Sequence, residues 1–391
     1  MMLVTATALL AAVSQVAAGT VATSSVPGKA FDRIAIIFFE NQDYDKSYGD
    51  SNFKWFRQRG ISLTNYVAAT HPSMGNYMAS ITGDYFGMDD DDDDMIAPRN
   101  VSTVIDLLES KNISWAHYME DMPYTGFQGG EYHNPKNGRN DYVRKHNPAI
   151  LHESVTKVPS RLAQVKNMSL TDTRRSEFHK DLQANKLPQW FFITPNMTSD
   201  GHDTDVRTSG RWCRYFLEPL LKNPNFTNNT LVLITWDETD TYEGRNKVLG
   251  ILLGDVIPSE LIGTSDNNFY NHYSQIATVS ANWGLPTLGR WDVGANVFKW
   301  IADKTGDKLR AWDSNSEFKR YLWNGSYAGY FHSHSKNKQI PKPNLDLNNP
   351  VSGRPILQSI RDTWANSKAP TYYKDSIKVA DDRNPPPGYK P

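Results

Sequence analysis

Four apolar runs, each ending in polar side chains, constrain this chain most. Residues 33–40 (Arg-Ile-Ala-Ile-Ile-Phe-Phe-Glu) are almost continuously apolar, the pattern of a strand buried on both faces, and deliver Glu40 and Asn41 at the C-terminal end. The run 230–236 ends in Asp237 and Glu238, and 189–196 leads into Ser199, Asp200, Gly201, His202 and Asp203. A fourth, β-rich segment from Gly60 to Ala69 leads into Thr70-His71-Pro72-Ser73-Met74-Gly75-Asn76-Tyr77, where a helix begins. Helical patterns recur around 102–112, 173–185, 211–222, 272–282 and 295–303, with Ser102 expected as a cap. Strands alternating with helices predict an α/β fold, a mostly parallel sheet covered on both faces. In such sheets ligands bind at the C-terminal strand edge, so the four polar clusters are expected to converge there. Together the carboxylates, amide and serine suit a hard divalent cation. Ser73, near a helix N-terminus, suits a nucleophile attacking phosphorus or carbonyl carbon. An ordinary N-cap is the bland alternative for the serine, and a solvated turn for any one acidic pair.

The segment Glu40–Gly49, the block around Ser73, Tyr142-Val-Arg-Lys-His-Asn-Pro148, Ser199–Asp203 and Thr235-Trp-Asp-Glu238 occur in this order. Over roughly residues 30–305 the chain resembles the phosphoesterase family of secreted acid phosphatases and bacterial phospholipases C, most closely the fungal phosphate-repressible acid phosphatases. The resemblance implies a three-layer α/β/α core of the alkaline-phosphatase type. It implies Ser73 as nucleophile and one divalent metal ion held by Glu40, Asn41, Asp237 and Glu238. It makes His146 and His202, with His272, the candidates for phosphate contact and general acid. His71, Asn76, Arg144 and Lys145 are expected to hold substrate oxygens, the basic pair through charge-assisted hydrogen bonds. A solvated basic loop remains the alternative for the pair. Two-zinc relatives in that superfamily carry a histidine where this chain has Glu238, so a single-metal, carboxylate-rich site is expected. Carboxylates stay ionised near pH 5 where imidazole is protonated, which predicts an acidic optimum. The expected function is a secreted acid phosphatase acting on phosphate monoesters. The alternatives are a phospholipase C-type phosphodiesterase and a silent phosphate- or glycan-binding glycoprotein.

The 391 residues fit one large domain, and a net charge of −1 argues against nucleic acid or an anionic membrane surface as partner. Residues 1–18 read as a signal peptide cut after Ala18, although no Lys or Arg precedes the apolar stretch. Sequons at Asn100, Asn112, Asn167, Asn196, Asn225, Asn228 and Asn324 add the expectation of a secreted, extracellular or cell-wall glycoprotein carrying N-glycans. Residues 19–336 are expected to form the catalytic domain, and the proline-rich 337–391 an extended tail wrapping it. Cys213, the one cysteine, closes no intrachain bridge and reads as core. The aspartates 89–94 read as a solvated, self-repelling loop, and His332 and His334 as surface histidines.

Overall fold

The computed structural model describes residues 19–242, 244–310, 327–336, 338–346 and 353–373. The leader expected over 1–18 and the sequon at Asn324 lie outside the described residues. Eleven strands form among the described residues: β1 (Arg33–Phe39), β2 (Ile61–Val67), β3 (Trp115–Glu120), β4 (Glu131–His133), β5 (Asn140–Val143), β6 (Val165–Met168), β7 (Trp190–Thr194), β8 (Thr230–Trp236), β9 (Lys247–Leu253), β10 (Ser265–Asp266) and β11 (Tyr270–Asn271). β4 and β5 make a separate hairpin, and the rest form one sheet in the order β10-β2-β9-β8-β1-β7-β3-β6, with β11 beside the end of β2. β9 runs antiparallel to both β8 and β2, and the other pairings in this sheet are parallel. Two reversals restore direction, so β1, β2, β7 and β8 all end on one edge. The continuous apolar runs therefore occupy the sheet's interior, as double burial requires.

Consecutive residues of β1 show why both faces are covered. Phe39 meets Phe53 at 5.5 Å and Trp212 at 5.7 Å between ring centroids, joining the sheet to the helices Ser51–Arg57 and Val206–Leu220. Phe38, on the opposite face by the two-residue strand period, meets Tyr77 at 5.4 Å and the His272 ring at 5.0 Å, in and just before the helices Ser73–Thr82 and Tyr273–Trp283. The result is the three-layer α/β/α arrangement expected. Cys213 is fully buried in the Val206–Leu220 helix. The cap expected at Ser102 falls one residue later. Thr103 accepts from Ile105 N–H, and Asp106 accepts from Thr103 N–H at 2.7 Å in a capping box.

The described C-terminal residues lie against the domain. A short helix, Gln358–Trp364, sets Trp364 Nε1 3.1 Å from the carbonyl of Asn100. The hydroxyls of Tyr327, Tyr372 and Tyr373 all donate to buried Asp84, just beyond the Ser73–Thr82 helix. His332 is buried rather than a surface histidine: its Nε2 lies 3.3 Å from Asp89, and His334 is exposed. Among the described residues no helix is long and apolar enough to cross a membrane.

His117, on β3, lies between the Trp190 and Phe192 rings and both its nitrogens lack a hydrogen-bond partner. Burial holds its pKa down at about 3. The unfolded chain takes up this proton near pH 6.5 and the folded chain does not, so stability present above that pH is lost as pH falls toward 3. Replacing His117 with leucine is expected to gain about 2–3 kcal/mol at pH 4.5 relative to its effect at pH 7.5. Urea unfolding of both proteins at the two pH values measures this, and equal shifts at both would contradict it.

Candidate active site

Glu40 follows β1, Asp237 and Glu238 follow β8, and Asp200 lies six residues beyond β7. Backbone pairing closes the edge: Glu40 N–H donates to Asp200 C=O at 3.1 Å, and Asp237 N–H to Phe39 C=O at 2.9 Å. All four carboxylates are buried. Ser73, 2 % exposed, opens the helix Ser73–Thr82, and its hydroxyl donates to Glu40 Oε2 at 3.0 Å and lies 3.4 Å from Glu238 Oε1. Asn41 turns the chain through a positive φ of 42°, and its N–H donates to Asp237 Oδ1 at 3.1 Å. The nucleophile and metal-ligand candidates from the sequence thus stand together at one strand edge.

Burial pushes all four acids upward, so the expectation that these carboxylates are ionised near pH 5 does not hold for the cation-free site. Desolvation, then the charges of Asp237 and Asp200, raises Glu40 well above the carboxylate range. Desolvation, then Asp237 and Asp91, does the same to Glu238. Asp200 is likewise raised by burial, and Asp237 is pushed up to about 6 by burial. The charge of Lys145 favours ionised Glu40 and Glu238. Asn41 Oδ1, Asp237 Oδ2 and Asp200 Oδ2 are buried acceptors with no hydrogen-bond donor. Among the described residues no three His, Cys, Asp or Glu side chains already stand as a metal cage. The donor set nevertheless suits a hard cation: oxygen atoms, several unsatisfied, in a buried cluster of four carboxylates.

The histidines divide. His146 lies with Nε2 3.3 Å from Glu40 and Nδ1 3.5 Å from Asp200, its ring stacked on Tyr77. Burial holds it well below the usual imidazole range. His202 is the open one, with a side chain 27 % exposed, Nδ1 2.9 Å from Asp203 and its ring centroid 5.7 Å from that of His146. His71 places Nδ1 3.0 Å from Glu238 Oε2 beneath the Tyr242 ring, and burial lowers it to about 3.

His272 does not fit the general-acid expectation. It is fully buried, Nε2 donates to the Asp237 carbonyl at 2.7 Å, and Nδ1 faces the Tyr66 hydroxyl at 3.3 Å, which Gln275 in turn supports. Both nitrogens are thus spent behind the β8 turn, and burial lowers the ring to about 4. His272→Gln, whose amide can still donate, is expected to leave the shape of the pH–rate profile unchanged, with a fall in kcat under about tenfold. Loss of one limb of that profile would restore His272 as an acid.

Two substrate-binding expectations also give way. The Arg144 guanidinium donates to the carbonyls of Gln128 and Ile150 at 3.0 and 2.7 Å, tying loops together. The Asn76 amide oxygen accepts from Ala69 and Thr70 N–H, while its nitrogen donates to Thr70 C=O and Glu238 Oε2. Asn76 therefore braces the turn before Ser73 and holds Glu238. Lys145 stays at the site, 20 % exposed and 2.9 Å from Asp91 Oδ2. The aspartate loop is not simply solvated, since Asp89 and Asp91 are both engaged. Asp200 is expected at this edge within its polar cluster but without a role of its own, and Tyr77, which donates to Glu40 Oε1, and Asp91 escaped sequence reasoning as site residues.

A covered, mostly parallel α/β/α sheet with a buried serine hydroxyl among carboxylates at its C-terminal edge defines a class in which strand-end loops carry the chemistry. Residues 53–286 match the phosphoesterase family, and the chain belongs to that family. It is 50 % identical over 341 residues to a probable acid phosphatase of Kluyveromyces lactis, covering 87 % of this chain and 77 % of that protein. It is 48 % identical over 351 residues to an acid phosphatase of Aspergillus fumigatus, covering 89 % and 76 %. Among solved structures it is similar to a Vibrio parahaemolyticus protein of the alkaline phosphatase superfamily, at 11 % identity and a TM-score of 0.44 over 66 % of this chain and 68 % of that one. At that identity and score the likeness says nothing of the chemistry.

Proposed function

We propose that this protein is an acid phosphatase that hydrolyses small phosphate monoesters through a phosphoserine on Ser73, with one divalent cation at the carboxylate cluster. That it is a phosphoric-ester hydrolase rests on its family and its acid phosphatase relatives. The observation carrying the mechanism is the Ser73 hydroxyl, buried and donating to Glu40 at 3.0 Å.

Glu40 takes the Ser73 proton as Oγ forms its bond to phosphorus, and the ester oxygen leaves. His202, the histidine of the site that is open to solvent, gives that oxygen its proton. Water then attacks the phosphoserine, Ser73 Oγ leaves with a proton returned from Glu40, and phosphate departs. Lys145 offsets charge on the phosphoryl oxygens. Asn41, Asp237 and Glu238, with Glu40, would hold the cation. When bound it supplies Lewis acidity, lowering the Ser73 pKa and neutralising charge on the phosphoryl group. Tyr77 and His146 keep Glu40 oriented, and Asn76 and His71 do the same for Glu238. The leader over 1–18 and the sequons support secretion as a glycoprotein, with residues 19–336 as the catalytic unit and 337–391 as its tail.

Phosphate release from an aryl phosphate monoester and from a lipid phosphodiester, measured across pH 4–9, tests the reading. Faster monoester turnover with an acidic optimum is expected. Faster diester cleavage would make the protein a phospholipase C-type enzyme, an optimum above about pH 8 would overturn the acid reading, and no turnover of either would leave a binding protein.

A further inference from the structure

The phosphoesterase reading leaves Asp91 unexplained, and its contacts are unusual for one aspartate in a run of six. Asp91 Oδ1 accepts from the backbone N–H of Met74 at 2.9 Å, and Oδ2 pairs with Lys145 Nζ at 2.9 Å. Met74 immediately follows Ser73 in the first turn of a ten-residue helix, where N–H groups have no intrahelical acceptor. An N–H next to a nucleophile, at the positive end of a helix, is the donor a phosphoryl oxygen would use as charge develops. Lys145 acts electrostatically on the carboxylate cluster, through Glu40 and Asp237. One carboxylate thus spans the two groups best suited to receive two phosphoryl oxygens.

The part of the loop preceding Asp91 is fixed, because Asp89 accepts from Ser333 N–H at 2.8 Å and Ser333 Oγ at 2.7 Å. The Asp91 side chain is 20 % exposed, so it has solvent to move into.

We propose that Asp91 is an internal stand-in for the substrate's phosphoryl oxygens: it occupies Met74 N–H and Lys145 when the site is free, and a phosphate monoester or inorganic phosphate binds by displacing it. Apparent affinity is then the intrinsic affinity reduced by the fraction of molecules in which Asp91 has swung away. The same competition speeds release of product phosphate. The proposal rests on the phosphoester-hydrolase reading.

The test compares Asp91→Ala, Asp91→Asn and Asp92→Ala with the wild type, reading KM for an aryl phosphate and the inhibition constant of inorganic phosphate. Asp91→Ala is expected to lower both roughly tenfold. Asp92→Ala removes the same charge from the same loop without either contact, and is expected to change them less than about twofold. Asp91→Asn keeps an acceptor for Met74 N–H but loses the pairing with Lys145, so it falls between them and serves if the alanine variant does not fold. Unchanged constants would overturn the proposal. So would a raised KM with lowered kcat, which would make Asp91 the residue that aims Lys145. Thermal shifts with inorganic phosphate on the same variants read the displacement without turnover. If the wild type cleaves no ester, the functional reading fails, while stronger phosphate stabilisation of Asp91→Ala would still support the displacement and its absence refute it.

Discussion

Replacing Ser73 with alanine is expected to lower kcat/KM for a phosphate monoester by at least about 10³-fold, because it removes the hydroxyl that forms the covalent intermediate. The fold should survive the change. Ser73 is small, its backbone opens a helix whose far end is held by Gly83 in the left-handed conformation, and Glu40 keeps Tyr77 as a donor. Stability by urea unfolding should therefore stay within about 1 kcal/mol of the wild type. Inorganic phosphate should still raise the melting temperature of Ser73→Ala, since Met74 N–H and Lys145 are untouched. Turnover within tenfold of the wild type would mean that water, not Ser73, attacks phosphorus.

Chelation followed by dialysis is expected to abolish turnover, with readdition of a divalent cation restoring it. Asp237→Asn is expected to need about 10–100-fold more cation for half-restoration. A thermal shift gives the same result without activity. The cation-free protein buries carboxylates whose folded pKa lies above the unfolded value, Asp237 at about 6. Such a group favours the folded state below its unfolded pKa near 4, and that contribution is lost as pH rises through about 6. A bound cation removes the loss. The melting-temperature gain on adding cation should therefore grow from pH 4 to pH 7, and more steeply in the wild type than in Asp237→Asn. A gain independent of pH would separate cation binding from these carboxylates.

The parts of the site that could be read from sequence are those the fold delivers directly. Strands buried on both faces leave uninterrupted apolar runs, so the residues just after them, Glu40, Asp237 and Glu238, announce themselves. Asp200 is legible only as a member of a polar cluster, because five residues separate it from β7 and the contacts that fix its loop, such as the bond from Glu40 N–H to its carbonyl, are tertiary. Tyr77 reads as one more core aromatic on a buried helix, and its hydroxyl contact with Glu40 has no sequence period. Asp91 is hidden by its neighbours: a like-charge run suggests solvation, and nothing local distinguishes the one member that reaches Met74 and Lys145. Arg144 and His272 mislead in the opposite direction. Both types often bind phosphate, yet one is consumed by backbone carbonyls and the other by the carbonyl of Asp237, partners set by tertiary contacts alone.

The central claim, a phosphoserine on Ser73, is tested most directly by the stereochemistry at phosphorus. A monoester whose phosphoryl group is made chiral with oxygen isotopes is incubated with the enzyme and an alcohol acceptor in place of water, and the configuration of the phosphoryl group transferred to the alcohol is determined. Two in-line displacements, one by Ser73 and one by the acceptor, give overall retention. Inversion would show a single displacement, leaving Ser73 no covalent role.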